Sequence, residues 1–440
     1  MIKRTECFLE FTKYASLNVL GALGLSCYIL ADTYFISKGL GADGLTALNL
    51  AIPVYSFIHG SGLLLGMGAG TRYSIQKSTE SSQTTDRLFT STVYAALALA
   101  LLFVCTGIFL TDPIVTMLGA DASVFAMTST YLQMILLCSP AFLMNNVLLC
   151  FVRNDGAPQL SMRAMLCGSL SNVALDYLFI FPCRMGIFGA VLATCLAPLI
   201  SLLLLSPHLA RKNNRFHLTK CLPAWTQLWR VFVSGVPSLV TEVSSGIVIL
   251  VFNILILDLE GNLGVAAYGI IANLSLVVVS VYTGIAQGIQ PITAHRYGTG
   301  AHGQVLAILR YAMVTMLTLS AFLYAGMFFF AEPVSSIFNK EQNERLQQIA
   351  VEGLRIYFTA CPFAGFNIIL STWLTSTDHA PAANLISILR GFVIILPCVF
   401  LFAAAFGMIG IWCAFPCTEL LTAAAGLWLF QKRSKELHYS

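Results

Sequence analysis

Four acidic side chains lie inside long apolar stretches of the sequence, namely Asp32, Asp176, Glu242 and Glu419. A charged side chain at the centre of a bilayer costs at least about 2.5–3.5 kcal/mol, so acids in such positions commonly bind or relay ions. Asn172 lies one helical turn before Asp176, on the same helix face, where its amide can hydrogen-bond the carboxyl group. The pattern indicates a protonatable or cation-binding site. An interhelical hydrogen bond that serves packing alone is the alternative.

These acids are distributed unevenly between the two halves of the chain. Asp32 and Asp176 both lie in the N-terminal half, and the internal repeat described below places Asn253 and Val399 near the matching positions of the C-terminal half. A polar pair that only packs helices together has no reason to favour one half. The asymmetry therefore favours a functional role for the two aspartates.

The other two acids each allow two interpretations. Glu242 follows Pro237 in the seventh apolar segment, which suits the wall of a cavity for cationic ligands; a helix-end acid that faces lipid headgroups is the alternative. Glu419 follows Pro416, and packing and substrate contact explain it equally well. His59, in the second segment, has no partner that the sequence reveals.

The composition indicates which elements must position these side chains. Of 440 residues, 57% are hydrophobic and only 10% are charged, with a mean hydropathy of +0.80, whereas soluble domains are about 25% charged. These values exclude a soluble enzyme and a disordered chain. Twelve apolar segments are long enough to span a bilayer as helices, centred near Leu25, Phe57, Leu99, Ile135, Ala174, Ala197, Ile247, Val278, Thr318, Pro362, Pro397 and Thr418.

The sequence also repeats itself. The residues that begin at Gly44, Asn154 and Gly186 resemble those that begin at Gly264, Thr377 and Gly407, and the offset stays near 220–223 residues. Two parallel copies of six helices are typical of secondary transporters. We therefore predict an all-α integral membrane protein with twelve transmembrane helices in two pseudo-symmetric six-helix bundles. The N-terminal bundle covers residues 1–215 and the C-terminal bundle covers residues 216–440, with the polar stretch 206–223 as a linker whose basic residues lie against anionic lipid headgroups.

The basic residues predict the orientation in the membrane, because cytoplasmic loops carry an excess of Lys and Arg. Only four fall in loops on one side, namely Lys38, Arg184, Lys340 and Arg345. Eighteen fall on the other side, namely Lys3, Arg4, Lys13, Arg72, Lys77, Arg87, Arg153, Arg163, Arg211, Lys212, Arg215, Lys220, Arg230, Arg296, Arg310, Lys432, Arg433 and Lys435. Both termini are therefore expected in the cytoplasm of a cell whose plasma membrane the chain spans many times.

Signatures of catalysis and of nucleotide binding are missing from the sequence. It contains no H-E-x-x-H, G-x-S-x-G or G-x-x-x-x-G-K pattern and no acidic cluster with metal-ligand spacing. Most of the 13 cysteines lie in apolar runs, where cysteine behaves as a small hydrophobic residue. We expect no enzyme activity, no cofactor and no nucleic-acid partner, and an ion gradient, of H⁺ or Na⁺, as the source of energy.

Several motifs resemble those of the multidrug and toxic compound extrusion (MATE) family, and most closely its bacterial DinF-like branch. The residues from Gly284 to Pro291 follow the pattern G-x-x-Q-G-x-Q-P, which resembles the end of the eighth helix in that family. The stretches 153–158, 172–181 and 186–194 are similar to the region that joins its fourth and sixth helices, and 389–391, 406–412 and 415–416 resemble its last two helices. The resemblance covers nearly the whole chain.

The resemblance implies a V-shaped pair of bundles that exports amphipathic, often cationic, drugs in exchange for protons or sodium. It implies a cation-coupling network formed by Asp32, Tyr131, Asn172, Asp176 and Thr194. Within that network, Asp32, Asn172 and Asp176 are the candidate Na⁺ ligands. Glu242 matches the acid that the family uses on its seventh helix. The residues 361–377 offer only Asn367 and hydroxyl groups where sodium-binding branches place an acid, so coupling through the N-terminal bundle is favoured over a C-terminal sodium site.

Aromatic and amide groups complete the predicted substrate contacts, because aromatic rings can stack on a flat cation. With Glu242, the candidate substrate-binding residues are Tyr28, Tyr55, Tyr282 and Gln287. The expected partners are small-molecule drugs, organic cations and the lipid bilayer, and we expect the chain to act as a monomer.

Three other functions compete with drug export. A flippase or exporter of lipids or lipid-linked oligosaccharides would share the fold, but it would be expected to line its cleft with several basic residues, which are scarce in these segments. A membrane-embedded enzyme would need a convergent catalytic set, and a passive channel would not need acids confined to one half.

Overall fold

The computed structural model describes residues 2–77, 79–210, 214–339 and 343–439, and it describes side chains between residues 6 and 432 of these ranges. Of the charges that predict the orientation, the side chains of Lys3, Arg4, Arg433 and Lys435 and the residues Arg211, Lys212 and Lys340 lie outside the described parts. The central part of the predicted linker, residues 211–213, also lies outside them.

Every regular element in the described chain is helical. In chain order, the α-helices are α1 (Ile2–Gln76), α2 (Ser82–Phe109), α3 (Thr111–Met117), α4 (Phe125–Leu137), α5 (Ser139–Asn154), α6 (Pro158–Ile180), α7 (Gly186–Leu209), α8 (Trp225–Gly298), α9 (His302–Phe329), α10 (Ala331–Phe338), α11 (Glu344–Tyr357), α12 (Cys361–Ser376), α13 (Ala380–Ile388) and α14 (Ile395–Tyr439). A single 3₁₀ turn, Phe358–Ala360, joins α11 to α12, and a π-helical turn, Leu389–Val393, joins α13 to α14.

The longest helices each contain two membrane spans. A helix rises about 1.5 Å per residue, so about 20 residues cross the hydrocarbon core. The stretches Glu6–Gln76, Trp225–Gly298 and Ala380–Lys432 have 71, 74 and 53 residues. Each is interrupted by one glycine with non-helical dihedral angles, at Gly41, Gly261 and Gly407. These glycines are the turns between successive spans.

By length and apolar composition, seven helices of the described chain can cross a membrane, or eight when the bent pair α4 and α5 counts as one span. Dividing the three long stretches at their glycines raises this number to eleven. The helix α6 supplies the twelfth segment with 23 residues. The polar side chains of Asn172 and Asp176 lower its mean hydropathy.

The internal repeat of the sequence is visible in the backbone. Gly41 has φ 70° and ψ −155°, and Gly261, which lies 220 residues later, has φ 63° and ψ −154°. Such angles are accessible to glycine and strongly unfavourable for residues with a Cβ atom. The two halves therefore share the same turn at the same point of the repeat.

The chain divides into two compact units. The first unit comprises Leu20–Val243 and Ala294–Gly300, and the second comprises Met1–Val19, Ser244–Thr293 and Ala301–Ser440. Residues 216–243, which the sequence assigns to the C-terminal bundle, thus pack within the first unit. The lobe boundary at residues 215 and 216 stays a prediction.

The residues that follow the centre of the linker are held against the first unit. Phe216 is fully buried and packs edge-on against Phe89 and Tyr73. The backbone N–H of His217 donates to Asp86, at 2.7 Å. This segment therefore packs against the first unit and leads directly into α8.

The first part of α8 lies very close to the second half of α1. A Cβ atom on Gly68 would collide with the carbonyl oxygen of Val231, and one on Gly235 would collide with that of Leu64. Small residues allow the two helices to approach this closely, and close helix packing of this kind is a main source of stability in membranes. The contact places Glu242 next to the α1 residues 59 and 60.

We predict that Gly235→Ala lowers the free energy of unfolding by about 1–3 kcal/mol, because the added methyl group forces two helix backbones apart. Thermal unfolding in detergent micelles measures the effect. Gly269→Ala is the matched control, since no atom lies within 4 Å of the position that its Cβ would take. Equal unfolding temperatures for the two variants would contradict the close packing.

Candidate functional site

Two buried aspartates of the first unit form the centre of the candidate site. Asp32 comes from the first half of α1 and is 6% exposed, and Asp176 comes from α6 and is fully buried. The two carboxylates are close enough to interact electrostatically. Among the described residues, no Lys, Arg or His forms an ion pair with either of them, and Oδ1 of each lacks a hydrogen-bond partner. Two ionised carboxylates in so dry a place repel each other, so the site favours a bound proton or cation.

Asn172 connects Asp176 to the neighbouring helix α7. With its amide oriented to satisfy both ends, Asn172 donates from Nδ2 to Oδ2 of Asp176, at 3.0 Å, and accepts the backbone N–H of Thr194, at 3.2 Å. All three residues are at most 5% exposed. The hydrogen bond that the sequence predicts between Asn172 and Asp176 is thus geometrically available, and it orients the carboxylate without neutralising it.

Tyrosine side chains lie within electrostatic reach of the aspartates. Tyr131, from α4, lies near the side chain of Thr194 and within electrostatic reach of Asp32 and Asp176. Tyr28 lies one helical turn before Asp32, and its hydroxyl is 2.9 Å from that of Tyr55. These hydroxyls supply neutral oxygens of the kind that hydrate or coordinate a small hard cation.

Glu242 lies beside this group, in the first part of the long helix α8. Its Oε2 is 3.6 Å from Nδ1 of His59, and the side chain is 34% exposed. The ring of His59 stacks on that of Tyr55, with centroids 5.8 Å apart and an interplanar angle of 13°. Sequence patterns do not reveal this partner, because His59 and Glu242 lie in different helices far apart along the chain.

The first unit therefore contains most of the side chains that the sequence singles out, namely Tyr28, Asp32, Tyr55, Tyr131, Asn172, Asp176, Thr194 and Glu242. Tyr282 and Gln287 belong to the second unit. Tyr282 is fully buried there, and its hydroxyl lies 2.7 Å from Oγ of Ser320. The assignment of roles to these ten residues stays a prediction.

Metal-ion chemistry of the usual kind has no candidate site in the described part of the chain, where no three His, Cys, Asp or Glu residues are grouped to hold a metal. The oxygen atoms of Asp32, Asp176, Thr194 and Tyr131 are chemically suited to a proton or a monovalent cation.

Comparison with known proteins decides the family. The MatE family model matches residues 19–178 and 237–401, which together make up most of the chain and include both halves of the repeat. The chain belongs to the MatE family.

Relatives of this MatE chain cover almost its whole length. It is 25% identical over 427 residues to the multidrug export protein MepA of Staphylococcus saprophyticus, covering 97% of this chain and 94% of the relative. It is also 25% identical over 436 residues to MepA of Staphylococcus aureus, covering 98% and 96%. The DinF-like branch stays a prediction, because these relatives carry the name MepA.

Solved structures show the fold of this MatE chain. An outward-facing multidrug resistance MATE family transporter of the MOP superfamily superposes with a TM-score of 0.89 at 21% identity, covering 98% of this chain and 96% of the other. A variant of the Vibrio cholerae MATE transporter VcmN superposes with a TM-score of 0.91 at 20% identity, covering all of both chains. The chain is a multi-pass membrane protein with the twelve helices and two bundles of these transporters.

The second unit of this MatE chain contains a buried ion pair that sequence reasoning missed. Glu419 accepts hydrogen bonds from Nη2 of Arg390, at 2.7 Å, and from Nδ2 of Asn367, also at 2.7 Å. The Glu419 side chain is 1% exposed and that of Arg390 is 11% exposed. Arg390 lies in the π-helical turn, a feature that sequence patterns do not reveal and that often marks functional sites.

A second unpredicted cluster lies in the first unit. Asp155, which the sequence places in a loop, has a carboxylate that is 1% exposed. It accepts a hydrogen bond from the hydroxyl of Tyr73 and lies 2.9 Å from Nε2 of His208. These groups join the ends of α1, α5 and α7. Because Tyr73 also packs against Phe216, the cluster helps to hold the segment that leads into α8 against the first unit.

Proposed function

We propose that the chain is a secondary antiporter that exports amphipathic, cationic small molecules in exchange for H⁺ or Na⁺. The names of the MepA relatives support drug export. The observation that carries the coupling mechanism is the pair of buried aspartates, Asp32 and Asp176, each with an oxygen atom that no described group satisfies. The chain is a transporter and not an enzyme.

The aspartate pair acts as the cation-loading site. With the pair exposed to the outside, a proton or Na⁺ binds and relieves the repulsion between the two carboxylates. Loading changes the relative stability of the conformations open to the two sides, which is the only way in which a bound ion can drive a conformational change. At 100 mV, each inward elementary charge supplies about 2.3 kcal/mol toward export.

Three of the proposed substrate contacts, Tyr28, Tyr55 and Glu242, belong to the same unit as the loading site. Tyr28 connects the other two contacts to the aspartates, because it precedes Asp32 by one helical turn and its hydroxyl group forms a hydrogen bond with that of Tyr55. Tyr55 offers an aromatic face, and Glu242 offers a negative charge for an organic cation. Tyr282 and Gln287 are also proposed as substrate contacts. Both termini are proposed to face the cytoplasm, and the monomer is proposed to be the working form.

A lipid or lipid-linked oligosaccharide flippase is the alternative within the same fold. It would need basic side chains that can meet a phosphate group. The buried Arg390 already has Glu419 as its counter-ion, and Arg153, also buried, lies against sulfur atoms of Met67 and Cys150. The organic-cation exporter is therefore favoured.

Transport by the purified chain in proteoliposomes tests the proposal. We expect ethidium to move against its concentration gradient when a pH gradient or a Na⁺ gradient is imposed alone, and to stop moving when an ionophore collapses that gradient. Liposomes without protein are the control. Failure of both gradients to drive ethidium, together with movement of a fluorescent phospholipid between the leaflets, would replace the antiporter by the flippase.

A further inference from the structure

His59 and Glu242 form a mixed pair whose charge depends on pH. Their side chains are 15% and 34% exposed, and Nδ1 of His59 lies 3.6 Å from Oε2 of Glu242. Histidine normally changes charge between about pH 5 and pH 8. A protonated imidazole compensates the carboxylate of Glu242, and a neutral imidazole leaves the pair with a negative charge.

The surroundings hold this pair in a defined geometry. Gly60 lies beside His59 in α1, and a Cβ atom added to it would be 3.0 Å from the Cβ atom of Glu242. Nδ2 of Asn146 donates to the backbone carbonyl of His59, at 3.4 Å. Tyr55 covers the imidazole ring on one face. His59 and Glu242 are therefore neighbours because their helices are packed almost backbone to backbone.

The same groups offer an organic cation what it needs. The stacked rings of Tyr55 and His59 present an aromatic surface, and the carboxylate of Glu242 lies at its edge. A flat cation gains from both an aromatic face and a nearby negative charge. It loses both when the imidazole is protonated, because the carboxylate then pairs with the imidazolium and the aromatic surface carries a positive charge.

We propose that His59 is a built-in, pH-dependent competitor of cationic substrates for Glu242. Protonation of His59 weakens the binding of an organic cation, and deprotonation restores it. The proposal rests on the proposed function only for the class of ligand, an aromatic or amphipathic organic cation. In an antiporter, this arrangement favours substrate release toward the more acidic side of the membrane.

Other titratable groups face the pair and must be separated from it. Tyr55 interacts electrostatically with Glu242, Asp32 and Cys195, and it shares a hydrogen bond with Tyr28. The tyrosines and the cysteine stay neutral in acid. Asp32 is an acid that belongs to the loading site, so its contribution has to be removed by mutation.

Equilibrium binding of ethidium to the full chain in lipid nanodiscs tests the proposal. Ethidium is a permanent cation, so its own charge does not change with pH. We expect its affinity to fall by about tenfold between pH 8 and pH 5.5, as for competition by a protonated histidine. His59→Gln should bind ethidium equally well at the two pH values, and His59→Lys should bind it weakly at both. His217→Gln is the matched control, because that histidine is 55% exposed and pairs with Asp86.

The comparison is repeated in the Asp32→Asn chain, where the difference between His59 and His59→Gln should persist. A second line of evidence is Glu242→Gln, which should bind ethidium weakly at pH 8 and lose most of the pH dependence. Identical pH profiles for the wild-type chain and His59→Gln would overturn the proposal, as would strong binding by His59→Lys at pH 8. Thermal unfolding of each variant shows that it is folded.

The binding assay needs no transport, so the two proposals can fail separately. Ethidium that binds with the expected pH profile but is not transported contradicts the antiporter and leaves the role of His59 intact. Ethidium that is transported by a chain whose affinity ignores His59 contradicts the competitor alone. Absence of ethidium binding at every pH overturns both.

Discussion

Asp176→Asn is expected to abolish gradient-driven efflux of ethidium while leaving the chain folded and inserted. Asparagine has the size of aspartate and offers an oxygen that can still accept the hydrogen bond from Asn172. Its amide is neutral, so it cannot bind and release a proton as a carboxylate does, and it has no negative charge to balance a cation. The substitution also removes the repulsion between the carboxylates of Asp176 and Asp32, so the free energy of unfolding should stay within about 1 kcal/mol of wild type or rise.

Transport in proteoliposomes measures the loss of efflux, and thermal unfolding measures the stability of the variant. The rate for Asp176→Asn should fall to that of protein-free liposomes, and Asp32→Asn should behave in the same way. Asp43→Asn, at an exposed position near the Gly41 turn, is the matched control and should transport normally. Wild-type rates from either aspartate variant would mean that the pair only packs helices together.

Much of the fold follows from sequence because the bilayer imposes simple rules. Long apolar segments must be helices, since a lipid-exposed backbone has no water to satisfy its polar groups. The internal repeat predicts that the two halves use the same turns, and the matching angles of Gly41 and Gly261 confirm it. Asn172 and Asp176 are predictable as neighbours because both lie on one face of a single helix.

Contacts between distant segments could not be predicted in this way. The pairing of His59 with Glu242 depends on how closely the first part of α8 approaches α1. That approach depends in turn on small residues such as Gly235, which contact backbone atoms of the other helix. Nothing in the local pattern around His59 distinguishes it from a buried histidine bonded elsewhere. Burial of the Asp155 carboxylate is hidden for the same reason, because its partners come from two other helices.

Arg390→Met is expected to destabilise the second unit strongly. It removes the cation that compensates Glu419, whose side chain is 1% exposed. Breaking a buried ion pair by removing one partner typically costs about 3–5 kcal/mol, since the remaining charge is left without a partner. We therefore expect a clear fall in the unfolding temperature, unlike the result for Asp176→Asn.

The double variant Arg390→Met with Glu419→Gln should recover most of this loss. Glutamine retains the size of glutamate and an oxygen that can accept the hydrogen bond from Asn367, and a neutral pair has no charge to compensate. Thermal unfolding of the four chains in a double-mutant cycle measures the coupling. An additive result would contradict a direct interaction between Arg390 and Glu419.

The two predictions together separate two kinds of buried acid. Glu419 has a counter-ion within the protein, Arg390. Its charge is therefore balanced without an ion from solution, and the pair can stabilise the fold. Asp32 and Asp176 have no such counter-ion among the described residues, so their charge is balanced only when a proton or cation arrives. Asp176→Asn should thus stop transport without destabilising the chain, whereas Arg390→Met should lower the unfolding temperature. The presence or absence of a resident cation, more than burial itself, is what assigns an intramembrane acid to coupling or to stability.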